Sequence, residues 1–486
     1  MSMMKAQTKN GTVTGVAYDG GTVFRGIPYA APPVGKLRFA APKPAKSWEG
    51  ERSCDSWPAD AWRHPFPHNH SKSSADGEHT YSEDCLYLNI WTPARQAGEK
   101  LPVMFWLYGG GGSSHDTHID GAGFTKRGCI LVSINYRMGI FDFFGLKELA
   151  DQDSYGSTGA YGIQDIVFAL QWVRDNIEAF GGDPGNVTVF GHSAGAMFTK
   201  LLIGCKPARG LFQHAISLSG GGTWDIDYIH TKESKCRLCQ ELLDRAGWTL
   251  EDMMSRNSAE IYEVLQREEK NLDLPHKSMF NTLFLPSMDD WLIKDYYGKI
   301  LYDGDVDETV DVMCGMLIEE WHNFPCQIPG GIGDYKREFA MASVIAWGRR
   351  YVERGIKPVY TYFFERRMPE DGHWMRHGEE LPYVFGTMNR YDKPWTDYDY
   401  LMSETTMDYW TSFAKTGNPN TPGRPEWNPY TVQQPVTMHF RDEDIICEDI
   451  SGYEKMDEVV SYLLAHPGML DDPFPGAVGD CEGPAF

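Results

Sequence analysis

The chain has 486 residues, and its 45 Lys and Arg against 68 Asp and Glu give a formal net charge of −23. A field of that sign repels nucleic acid and anionic membrane, so neither is expected as a partner. At 42% hydrophobic and 23% charged, the composition excludes collagen-like and wholly disordered chains.

Length alone would suggest about three domains, but a large α/β enzyme can keep one sheet with insertions. No apolar run approaches the roughly 18 residues that span a bilayer, and the start, MSMMKAQTKNGTVTG, lacks the apolar stretch of a secretory signal. The chain therefore reads as soluble and cytoplasmic; a secreted mature form with its signal peptide removed would read the same. Ten cysteines are too dilute for a disulfide scaffold, so folding rests on burial. The 15 Trp, 25 Tyr and 24 Phe suffice for a core and for an apolar cleft.

In chain order, His64, His68 and His70 in WRHPFPHNH lie close together, but prolines break the segment and the spacing matches no ligand pattern. A polar surface loop is expected there, and no metal or organic cofactor anywhere. VMFWLY (103–108) and CILVSINY (129–136) are strand-like runs. The stretch Gly162 to Phe180 places Ile163, Ile166, Ala169, Leu170, Val173 and Ile177 at helical spacing, with GlyGly as a stop. NVTVF (186–190) is a β-branched run that enters Gly191-His192-Ser193-Ala194-Gly195, after which AMFTKLLIG continues in helical pattern. This alternation predicts an α/β fold with a large, mostly parallel central sheet flanked by helices.

Residues 225–300 read as a charged, helical cap or subdomain. Within them, Cys236 and Cys239 form a CxxC on a helix with no second CxxC nearby, which reads as two ordinary helix cysteines. VDVMCGMLI (310–318) is another strand-like run, and VTMHF (436–440) a later one. The expected organisation is a single catalytic domain over 1–466 and a Pro/Gly-rich tail over 467–486.

Gly191 to Gly195 fits the G-x-S-x-G elbow, with a strand before and a helix after, as that motif requires. A serine on so sharp a turn needs hydrogen-sized neighbours, and the helix N-terminus behind it offers N–H groups to an oxyanion. Ser193 is thus the candidate nucleophile, and it requires an imidazole base oriented by a carboxylate. In this architecture the order is Ser, acid, His. The acid belongs just past a later strand, where Glu319 and Glu320 end the run over 310–318. Of the five histidines that follow Glu320, His322 is too close to it, His439 lies in a strand and His466 precedes a proline. His373 and His377 share a charged, Gly-containing loop, and pattern alone does not choose between them. Gly109 to Gly112, directly after VMFWLY, suits a backbone oxyanion hole.

These segments resemble the type-B carboxylesterase family of the α/β-hydrolase fold, the family of cholinesterases, fungal lipases and bacterial p-nitrobenzyl esterases. The resemblance runs through FRGIPYAAPPVGKLRF (24–39), SEDCLYLNIWTP (82–93), FGGDPGNVTVFGHSAG (180–195), HGEELPYVFG (377–386) and WTSFAKTGNPN (410–420). It implies Ser193 as nucleophile, His377 as base and Glu320 as acid, five residues after Gly315. It also implies the N–H groups of Gly110, Gly111 and Ala194 as the oxyanion hole, and Cys54 and Cys85 as the family's N-terminal disulfide pair. The chain departs from the family in having Trp321 where glycine usually follows the acid, which leaves Glu319 as the runner-up. It departs again in a fourth glycine at 112, which leaves the donor register open by one. The activity implied is serine carboxylesterase hydrolysis of a small-molecule ester through an acyl-enzyme. The alternatives are amidase, carbamate hydrolase or lipase action on the same triad, or a non-catalytic binding protein of the same fold.

Overall fold

The computed structural model describes residues 3–62, 80–110, 112–222, 230–274, 283, 285–289, 291–295, 297–318, 336–370 and 372–465. Fourteen strands are formed in the described residues. They are β1 (Lys5–Thr8), β2 (Gly11–Thr14), β3 (Val16–Tyr18), β4 (Gly21–Pro28), β5 (Glu51–Ser53), β6 (Tyr87–Thr92), β7 (Leu101–Leu107), β8 (Ile130–Ile134), β9 (Gly182–His192), β10 (His214–Leu218), β11 (Asp311–Leu317), β12 (Tyr360–Glu365), β13 (Val436–Arg441) and β14 (Ile445–Asp449). Strands β1, β2 and β5 make a small separate sheet, and the other eleven form one sheet in the order β14-β13-β12-β11-β10-β9-β7-β8-β6-β4-β3.

From β13 to β8 every neighbouring pair is parallel, whereas the β14 edge and the β6, β4 and β3 edge are antiparallel. The parallel centre follows from the sequence, because runs such as Ile130–Ile134 and His214–Leu218 are buried at every position, as strands covered on both faces must be. The antiparallel N-terminal strands had no comparable signature. They are three to eight residues long and not uniformly apolar.

The predicted helix after Gly162 spans Tyr161–Asn176, with Ile163, Ile166, Ala169, Leu170 and Val173 buried on the sheet. Its last predicted turn tightens into a 3₁₀ segment, Ile177–Phe180, that closes on Gly181 at φ 85°, a conformation glycine adopts without a Cβ penalty. Helices also form at Lys232–Ala246, Leu250–Ser255, Ser258–Glu269 and Tyr297–Asp303. Cys236 and Cys239 lie on the first of these, where the Cys239 sulfur accepts the Gly145 N–H at 3.4 Å. Cys54 and Cys85, which match the family's disulfide pair, are both buried free thiols. Burial pushes the Cys54 thiol up to about 11. No helix among the described residues is long and apolar enough to cross a membrane.

Candidate active site

The C-terminal ends of β7, β9 and β10 meet at Ser193. Strand β9 stops at His192, Ser193 takes φ 56° and ψ −124°, and the helix Ala194–Gly204 begins at the next residue. A positive φ at a non-glycine residue is costly and persists only where the surroundings impose it. Here the Ser193 N–H is tied to the Leu218 carbonyl at 3.0 Å, while its own carbonyl accepts the Met197 N–H at 3.0 Å. The flanking glycines are dictated by space. A Cβ on Gly191 would stand 2.5 Å from the Gly195 carbonyl carbon, and one on Gly195 would stand 2.6 Å from the Tyr108 carbonyl oxygen. Both contacts are with backbone, which cannot swing away.

The Nε2 of His377 lies 2.8 Å from the Ser193 hydroxyl oxygen. His377 arrives from a loop in which Gly378 takes φ 88° and from which the short helix Leu381–Phe385 departs. Of the two histidines that pattern left open, His373 goes elsewhere: its Nε2 pairs with Glu379 at 3.0 Å. His439 is buried against Glu365 at 2.8 Å. Glu319, Glu320, His322 and His466 lie outside the described residues, as do Gly111, the histidines at 64, 68 and 70, and the tail 467–486.

The glycine run packs against Ser193. The Gly112 N–H closes on the Gly109 carbonyl at 2.9 Å, and a Cβ on Gly109 would lie 2.9 Å from the Ser193 Cβ. Gly110 stands in this turn, and Ala194 opens the helix on the far side of Ser193. Backbone N–H groups at a helix start and in a tight turn are the usual source of an oxyanion hole. The Ser113 N–H binds the Asp116 carboxylate at 2.7 Å, which fastens the next stretch of the loop.

An aromatic cluster joins these parts from below. Phe385, at the end of the helix that follows His377, meets Trp106 of β7 edge-on at 4.9 Å and Phe124 at 5.5 Å. Trp106 in turn lies 4.8 Å from Phe190 of β9. The strand that precedes the glycine run, the strand that leads into Ser193 and the helix behind His377 thus share one apolar support, in geometries aromatic pairs favour.

Three residues around the site escaped the sequence reading. His192 is 6% exposed, its ring centroid lies 4.5 Å from that of His377, and its Nε2 is 3.3 Å from Glu380 Oε1. The same oxygen accepts the Ser219 hydroxyl at 2.7 Å. Burial alone would raise the Glu380 carboxyl, but the His192 imidazole, then His377, and the Ser219 hydroxyl outweigh it and hold it well below the ordinary carboxylate range. His192 sat in the elbow motif and Glu380 in the segment after His377, but each was read only as a filler position. No cluster of three or more His, Cys, Asp or Glu suited to a metal occurs among the described residues.

A serine on a strained strand-to-helix turn at the head of a parallel sheet, with an imidazole in hydrogen-bond reach, defines an α/β-hydrolase. Residues 2–346 and 332–451 match the carboxylesterase family. The chain is 30% identical over 518 residues to the acetylcholinesterase of Bungarus fasciatus, covering 91% of this chain and 83% of that one. It is 29% identical over 490 residues to the para-nitrobenzyl esterase of Bacillus subtilis (strain 168), covering 92% and 96%. A solved PNB esterase superposes with a TM-score of 0.81 at 27% identity, over 94% of this chain and 99% of that one. The chain belongs to the carboxylesterase family, and it is a carboxylic ester hydrolase whose substrates are small-molecule esters.

Proposed function

We propose that the protein hydrolyses its esters through an acyl-enzyme on Ser193, with His377 as general base and Glu320 as the acid that orients it. The observation that carries this reading is the 2.8 Å approach of His377 Nε2 to the Ser193 hydroxyl, the distance required for proton transfer. In acylation His377 takes the hydroxyl proton as Ser193 Oγ attacks the ester carbonyl. The negative charge moves onto the carbonyl oxygen, where the N–H groups of Gly110, Gly111 and Ala194 receive it. His377 then returns its proton to the leaving alkoxide, and a water activated by the same imidazole releases the acid.

The test is direct. Ser193→Ala lowers kcat on a short-chain aryl ester by at least about 10³-fold, the scale of losing a nucleophile, and abolishes labelling by a fluorophosphonate probe. Near-normal turnover by that variant would refute the assignment.

A further inference from the structure

The ring of His192 occupies a position that no part of the mechanism uses. A Cβ on Gly109, the first glycine of the run beneath Ser193, would stand 3.5 Å from its Nδ1. A Cβ on Gly378, the residue after His377, would stand 3.7 Å from its Cε1. The imidazole is therefore wedged between the loop of the glycine run and the loop of the base. Its other nitrogen faces Glu380 at 3.3 Å, and Glu380 Oε2 has no hydrogen bond among the described residues. This buried carboxylate thus touches His192, whose ring centroid is 4.5 Å from that of His377, and its charge reaches His377 through space.

We propose that His192 and Glu380 form a positioning pair that governs how much negative charge His377 feels. This rests on the reading of His377 as base. During acylation His377 becomes an imidazolium, and the Glu380 charge stabilises it. His192 Nε2, 3.3 Å from the same carboxylate, draws part of that charge away. A proton on His192 would do so more strongly and would repel the His377 imidazolium. The other titratable group facing His192 is His118, from the loop after β7. Burial lowers it to about 4, with Asp116 and Glu380 opposing that fall and His192 and Arg390 adding to it. It therefore stays uncharged over the working range and leaves Glu380 as the carboxylate that His192 faces directly, beside the Glu320 charge assigned to orienting His377. Glu379, next to Glu380, is engaged with His373 and the Arg376 N–H.

The pair has a signature that a merely structural role lacks, because its two members shift the base in opposite directions. In the profile of kcat/KM against pH, Glu380→Gln moves the acid limb down by about one unit, as expected when an opposite charge is removed nearby. It lowers kcat at least about tenfold, with KM changed by less than about threefold. His192→Phe, which keeps ring bulk and removes the N–H, moves the limb up by about half a unit. His192→Gln, which places an N–H near Glu380 again, returns the limb toward its original place. Limbs that move the same way in Glu380→Gln and His192→Phe, or a limb that does not move in the nearly isosteric Glu380→Gln, overturn the proposal. Fluorophosphonate labelling of the unmodified protein separates the two levels. If Ser193 is not labelled, the reading of the site fails; if it is labelled and the limbs stay fixed, the pairing alone fails.

Discussion

Gly195 is pressed against the carbonyl groups of Leu107 and Tyr108, so that a side chain at the last position of the elbow would enter the backbone of β7. The strand that precedes the glycine run and the helix that follows Ser193 are consequently in direct backbone contact. Gly195→Ala forces them apart. We expect a loss of about 1–3 kcal/mol, as for overpacking a tight interior, together with a fall in kcat from misplacing Ser193 against the glycine run. Thermal unfolding and steady-state kinetics measure the two losses. An unchanged kcat would show that the contact does not set the geometry of the site.

The assignment of the acid separates two adjacent carboxylates. Glu320→Gln is expected to depress kcat by about 10³-fold or more, on the scale of losing a triad member, while Glu319→Gln leaves most of it. The reverse ranking transfers the role to Glu319.

Stability should fall on the alkaline side, and the thiols give the sign. Burial raises Cys129 and Cys239 to about 11 and Cys205 to about 12, and lifts Cys85 further. An exposed thiol titrates near 9 in the unfolded chain, so between 9 and 12 the unfolded state holds fewer protons than the folded state. The contribution of these groups is complete below pH 9 and is lost as pH rises toward 12. Lys235 acts the other way: burial lowers it to about 8 from 10.5, so its cost is relieved as pH rises through that interval. One lysine opposes these four thiols, Cys54 and buried tyrosines such as Tyr29 and Tyr108, whose hydroxyls burial also raises, so the net slope is downward. Urea unfolding at pH 8 and pH 10 should show a lower midpoint at the higher pH; a higher one would mean that the lysine outweighs the thiols.

The net charge of −23 carries a kinetic prediction. At low ionic strength a cationic or neutral ester should show a higher kcat/KM than an anionic ester of the same shape, and salt should erase the difference as the field is screened. Equal rates for the matched pair at low salt would exclude steering by the protein's field.

Which parts were legible in the sequence follows from how each is encoded. The parallel centre was readable because burial on both faces demands uninterrupted apolar runs, as in Ile130–Ile134. Ser193 was readable because its turn admits only glycine at 191 and 195. The antiparallel strands β3 and β4 were not, because a three-residue strand such as Val16–Tyr18 is held by its neighbour and not by its own pattern. The choice between His373 and His377 depends on which face of one loop each imidazole occupies, and spacing carries no record of that; the family resemblance supplied it. His192, Ser219 and Glu380 come from three separated segments and become a group only once β9 and β10 lie side by side.

The apolar support formed by Trp106, Phe190 and Phe385 has a consequence for wear under heat. Because Ser193, His377 and the glycine run rest on one keel, none of them can drift while the others hold station. Warming should leave turnover climbing smoothly until the whole body melts, with inactivation and loss of fold arriving together instead of the reactive centre failing first.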